Sequence, residues 1–135
     1  IEDCLVDDCF LIDNGVLVKY GGTAENVVVP DGVTSIRTLA FSYDKDLKSV
    51  TLPDGLAYIG NAAFCGCESL ETINFPKSLV HIGNDAFFGC KSLTDIELPH
   101  NIVTVGKCAF CRCKGLSTLR IPAGLEEISS DSFFG

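Results

Sequence analysis

Apolar residues follow a pattern that recurs every 23 residues and is closed each time by proline, at Pro30, Pro53, Pro76, Pro99 and Pro122. Each unit is numbered here by the residues after its proline. Position 17 reads Leu47, Leu70, Leu93, Leu116; position 20 reads Val50, Ile73, Ile96, Leu119; position 22 reads Leu52, Phe75, Leu98, Ile121. The positions between the last two rows and just before them are polar: Ser49 and Thr51, Thr72 and Asn74, Asp95 and Glu97, Thr118 and Arg120. That alternation predicts a short strand with one face inward, ended by a proline that has no amide to donate. Position 3 (Val33, Leu56, Leu79, Ile102, Leu125) and position 6 (Ile36, Ile59, Ile82, Val105, Ile128) predict a second apolar pair on the return side. Gly60, Gly83 and Gly106 then relax the backbone into a turn. Position 10 (Ala40, Ala63, Ala86, Ala109, then Ser132) and position 11 (Phe41, Phe64, Phe87, Phe110, Phe133) turn inward from a segment too short for a regular helix. A turn or a single helical turn is expected there.

Columns that keep residue type from unit to unit mean stacking. A 23-residue unit cannot bury its own apolar face, but neighbouring units bury each other's. Strands of the same position would then pair in parallel, about 4.8 Å apart.

The string Ile59-Gly60, Ala63-Phe64, Cys67, Leu70, Ile73, Pro76 reads I-G-x-x-A-F-x-x-C-x-x-L-x-x-I-x-x-P. It resembles the BspA-like leucine-rich repeat, a 23-residue class of bacterial surface proteins that is also abundant in some protozoan parasites. The resemblance covers four full units, 31–53, 54–76, 77–99 and 100–122, and a fifth that stops early. It implies an α/β-type leucine-rich-repeat solenoid of short parallel strands and turns. The first unit departs from the pattern, with Arg37 for Gly and Asp44 for Cys, which predicts a looser turn and an outward Asp44.

At the N-terminal end, Asn14-Gly15 between two apolar runs signals a hairpin. Val27 and Val29 occupy positions 20 and 22 ahead of Pro30, with Ala24 weakly at position 17. Residues 1–29 are therefore expected to form a hairpin cap plus a degenerate repeat, and residues 30–135 the solenoid. Hairpin-then-repeat starts also occur in the family resembled. The chain opens at Ile1, contains no methionine, and stops at Phe133-Phe134-Gly135 before the next strand. The expectation is a natural chain that continues.

Composition narrows the functional classes. Eighteen acidic and ten basic residues give a net charge of −8, which disfavours nucleic acid and anionic membrane as partners. No apolar run is long enough to insert in a membrane. Eight cysteines stand out. Cys67, Cys90 and Cys113 share position 14, Cys65 and Cys111 share position 12, Cys108 stands at position 9, and Cys4 and Cys9 lie in the cap. The cysteines could offer thiolates to zinc or form a ladder of buried thiols. The spacing follows the repeat and not a zinc template, which favours packing, with Cys4 and Cys9 the best-placed disulfide pair. No metal or other cofactor is expected.

His81 and His100 are expected on the outer surface, away from any thiol. Asp7-Asp8, Asp44 with Asp46, and Glu126-Glu127 read as solvated acidic neighbours without a shared cleft. Asp44-Lys45-Asp46 lacks the further oxygens of a calcium loop. No phosphate-binding glycine motif and no glycosylation sequon occurs. An enzyme is not expected.

The remaining reading is surface recognition on the strand face, through Ser49, Thr51, Thr72, Asn74, Asp95, Glu97, Thr118 and Arg120. These residues vary from unit to unit, which fits both a binding surface and polar fill. That face has neither an aromatic nor a basic stripe, which leaves a protein ligand. The resemblance implies a non-catalytic adhesion module, extracellular or on the cell surface, that binds a host extracellular-matrix or microbial surface protein. A wall-attached spacer and an accessory domain of an extracellular hydrolase are the alternatives.

Overall fold

The computed structural model describes residues 9–123, Leu125 and the backbone of 127–128. In chain order the strands are β1 (Phe10–Asp13), β2 (Val16–Tyr20), β3 (Asn26–Val28), β4 (Ser35–Ile36), β5 (Ser49–Thr51), β6 (Tyr58–Ile59), β7 (Thr72–Ile73), β8 (His81–Ile82), β9 (Asp95–Glu97), β10 (Thr104–Val105), β11 (Thr118–Arg120) and β12 (Glu127–Ile128). They wind a parallel β-solenoid with two sheet walls and a wall of turns. No helix occurs among the described residues, so the α/β expectation is corrected to an all-strand coil.

The longest sheet is on the side first read as the return. It runs β1-β2-β4-β6-β8-β10-β12, antiparallel only between β1 and β2. Its register sets Ile36 opposite Ile59, Ile59 opposite Ile82, and Ile82 opposite Val105, so the position-6 row is one continuous inward column. Asn14 and Gly15 turn the β1–β2 hairpin with φ of 50° and 79°, as a tight two-residue turn requires. Leu17 of β2 sits opposite Ile36 and begins the same column.

The wall expected to be the main sheet is divided. β3-β5-β7 form one piece and β9-β11 another. Two residues explain the break. Position 22 holds buried Leu52 and Leu98, but in the intervening unit it holds Phe75, which stays half-buried with its ring edge-on to Phe87, centroids 5.7 Å apart. A benzyl group does not fit the Leu column without displacing its strand. The neighbouring Asn74 turns its side-chain amide back onto Leu52, accepting from its N–H at 2.9 Å and donating to its carbonyl at 3.3 Å. Main-chain pairing thus ends at Ile73.

The segment of positions 8–14 explains why no helix forms. Amides at positions 10, 12 and 14 close turns within their own coil, as in Ala63 N–H to Gly60 O and Cys65 N–H to Ala62 O. Amides at positions 9, 11 and 13 instead donate forward to the next coil: Ala62 to Asn84 at 2.8 Å, Phe64 to Ala86 at 2.8 Å, Gly66 to Phe88 at 2.7 Å. A helix would need all six for itself. Left-handed residues recur at position 9 (Leu39, Ala62, Asp85, Cys108) and position 13 (Tyr43, Gly66, Gly89, Arg112).

The aromatic column lies between the walls. Phe41, Phe64, Phe87 and Phe110 stack with centroids 4.8, 5.1 and 5.3 Å apart. Tyr20 extends the stack by one ring at 5.1 Å and donates its amide to Ala40 as Phe41 does to Ala63. It lies 21 residues before Phe41, which hid it from a 23-residue ruler. Phe133 and Ser132, expected next in their columns, lie outside the described residues.

Candidate binding cleft

The gap between β7 and β9 opens a cleft of about 620 Å³. Its apolar floor is Ile73, Phe75, Leu98 and Ile121, the last 49% exposed. Asn74, Asp95, Glu97 and Arg120 stand at its rim, with Lys77 and His100 at one end. Arg120 reaches both Asp95 (3.9 Å) and Glu97 (4.0 Å), but all three side chains are solvated. Such pairs contribute little to stability and exchange readily for a partner's charge.

Of the eight residues singled out by sequence, the cleft gathers four: Asn74, Asp95, Glu97 and Arg120. Thr51 and Thr72 are exposed on the three-stranded piece, where Ser49 donates to Asn26 Oδ1 at 2.7 Å. Thr118 is half-buried on β11. Sequence reasoning missed the floor, because it assigned position 22 wholly to the interior; the signal was a Phe in a Leu column. It also missed Lys77, which shares position 1 with His100. His100 is exposed as expected, whereas His81 is half-buried, hydrogen-bonded to Thr104 and 6.0 Å from the Tyr58 ring.

The cysteine column is a packing device. Cys67 donates its thiol to Phe41 O at 3.1 Å, Cys90 to Phe64 O at 3.2 Å, and Cys113 to Phe87 O at 3.1 Å. Burial pushes Cys67 up to about 12 and Cys113 up to about 11, and raises Cys90 as well. These thiols stay protonated at neutral pH and are poor nucleophiles or metal ligands. Cys108 and Cys111 depart from the packing expectation and form a disulfide across one turn, with Cα atoms 4.6 Å apart. Their C-x-x-C spacing was the available signal. Cys9 is disulfide-bonded, while Cys4, its expected partner, lies outside the described residues, as do Asp7-Asp8 and the Glu126-Glu127 side chains.

Asp44 does not point outward as expected. It is half-buried, its Oδ1 accepts the Asp46 amide at 3.1 Å, and burial raises its pKa. Gly60, Gly83 and Gly106 also have a different reason from the one expected. None is left-handed. A Cβ on Gly60 would lie 2.8 Å from both Ile36 O and Thr38 N, so the glycine lets successive coils close.

A family model described as the BspA type leucine-rich repeat region matches residues 18–135 in six copies. No curated protein matches the chain. Among solved structures, the chain is similar to the T. pallidum leucine-rich repeat protein TpLRR, at 28% identity and TM-score 0.67, covering 87% of this chain and 70% of that one. It is similar to the pneumococcal vaccine antigen PcpA at 26% identity and TM-score 0.75, covering 92% of this chain and 36% of that one. A leucine-rich cell surface protein of Faecalibacterium prausnitzii A2-165 shares 28% identity at TM-score 0.57, with 78% and 34% covered. The chain thus spans about a third of the length of the latter two.

Proposed function

Since the chain belongs to the BspA-type leucine-rich repeat family, we propose that it is a non-catalytic protein-binding module of a secreted or cell-surface bacterial protein. Its partner in this reading is a host extracellular-matrix or microbial surface protein. One observation carries the proposal: the cleft between β7 and β9 sets an apolar floor among exchangeable charges. That is the anatomy of a protein interface, with an apolar centre and a polar rim. The surface location is supported by the F. prausnitzii neighbour, which is described as a cell surface protein. The hairpin of residues 9–20 is assigned in the same reading to closing the N-terminal end of the core.

The test is charge reversal in Asp95→Lys/Glu97→Lys, with attachment measured to immobilised extracellular-matrix proteins. Loss of attachment with an unchanged circular dichroism spectrum supports the cleft as the site. Equal attachment by the parent and the variant rejects it.

A further inference from the structure

A second groove, in the turn wall and apart from the cleft, has a different chemistry. It is built by position 13, which reads Tyr43, Gly66, Gly89, Arg112 up the coils. All four residues are left-handed, with φ between 59° and 75°. Glycine occupies that conformation without strain, and it does so in the two middle coils. A side chain there costs about 1–2 kcal/mol, yet the two flanking coils carry Tyr43 and Arg112.

The two glycines leave a trough of about 240 Å³, and the two side chains furnish it. The Tyr43 ring lies over Gly66, close enough that a Cβ there would come within 2.6 Å of its Cε1. Its hydroxyl accepts a hydrogen bond from the Cys65 thiol at 3.8 Å, which helps fix the ring, and the residue remains 66% exposed. Arg112 lies over Phe88, 5.8 Å from the centroid. That stacking orients a guanidinium while leaving its fork of donors for a bidentate partner. Lys91 and Lys114 also line the trough, and Glu68, 3.6 Å from Lys91, is the one acidic side chain among the lining residues. In a chain of net charge −8, this spot gathers three cations against one carboxylate.

We propose that this trough binds an anionic saccharide. Its carboxylate or sulfate group sits on Arg112 with Lys114, and its ring packs against the exposed Tyr43 side chain. An exposed aromatic ring and a guanidinium fork lining one trough suit a sugar ring bearing an oxyanion.

The chain would be titrated in about 20 mM NaCl with a sulfated disaccharide, a uronic-acid disaccharide and a neutral disaccharide, while amide resonances are followed. Saturable shifts at Gly66, Gly89 and Arg112 are expected from one or both anionic sugars and not from the neutral one. Which anionic sugar binds distinguishes sulfate from carboxylate. Arg112→Gln/Lys114→Gln should weaken binding about tenfold, as expected from two exposed charge contacts. Tyr43→Ala, at an exposed side chain, should weaken binding with thermal stability unchanged. Shifts of equal affinity from inorganic sulfate alone, tighter binding of an oligo-aspartate peptide at the same amides, or no saturable shift would each overturn the proposal.

Discussion

Single residues carry two kinds of constraint in this coil, close approach and buried polarity. Gly83 and Gly60 illustrate the first. Gly60→Ala should cost about 1–3 kcal/mol, because its Cβ meets backbone of the preceding coil and not a side chain that can rotate. Urea unfolding measures it. The buried thiols illustrate the second. Their pKa values are raised in the fold, so unfolded thiols lose protons first as pH rises. Stability should hold below about pH 8.5 and then fall, by about 1.4 kcal/mol per pH unit for each of Cys67, Cys90 and Cys113, until the folded values are passed. Thermal melts from pH 7 to pH 10 read this slope, and Cys90→Ala should reduce it. A flat alkaline profile would deny the burial. Asp44 titrates by the same logic at the acid end: raised in the fold, it weakens the folded state as pH climbs through the carboxylate range. Asp44→Asn should raise the melting temperature at pH 7 and leave it unchanged near pH 3. The Ala, Phe and Cys columns were legible in sequence because they keep the 23-residue step. Tyr20 was not, since it reaches the same stack by a shorter path through the hairpin.

The strands show where a regular pattern misleads. The 19–22 alternation located β5, β7, β9 and β11, and predicted their parallel register. It did not predict that β7 and β9 part, because hydrophobic periodicity records that Phe75 is apolar and not that it is too large for a Leu slot. Phe75→Leu tests this account. The smaller side chain should let β7 and β9 pair, and the Ile73 and Asp95 amides should then exchange with deuterium at least about tenfold more slowly. Unchanged exchange would put the cause of the break elsewhere, with Asn74. The turn wall misled in the other direction. Its Ala-Phe core residues suit a helical turn, but a helix needs amides that here are committed to the neighbouring coil.

At the scale of the whole molecule, the walls differ in continuity. Among the described residues, one sheet runs from the hairpin to β12 and one aromatic column from Tyr20 to Phe110, while the other sheet is interrupted midway. Removing a ring from the continuous column should therefore be felt by two coils at once. Phe64→Ala is expected to cost about 3–5 kcal/mol in urea unfolding, through a single cooperative transition. The cleft and the trough lie on different walls, so a substitution in one should leave binding at the other unaltered, which paired titrations of each variant can check.

The forward-donating amides of the turn wall have an electrical consequence. Strands within a parallel sheet point their peptide dipoles alternately and nearly cancel. The three files at positions 9, 11 and 13 all point one way, N–H toward the following coil. They add as peptide groups add along an α-helix, whose ends carry partial charges of opposite sign. Each further coil lengthens the files without reversing them. The solenoid is thus polar along its axis, electropositive toward its C-terminal coils, and that field reinforces the cations gathered around Arg112.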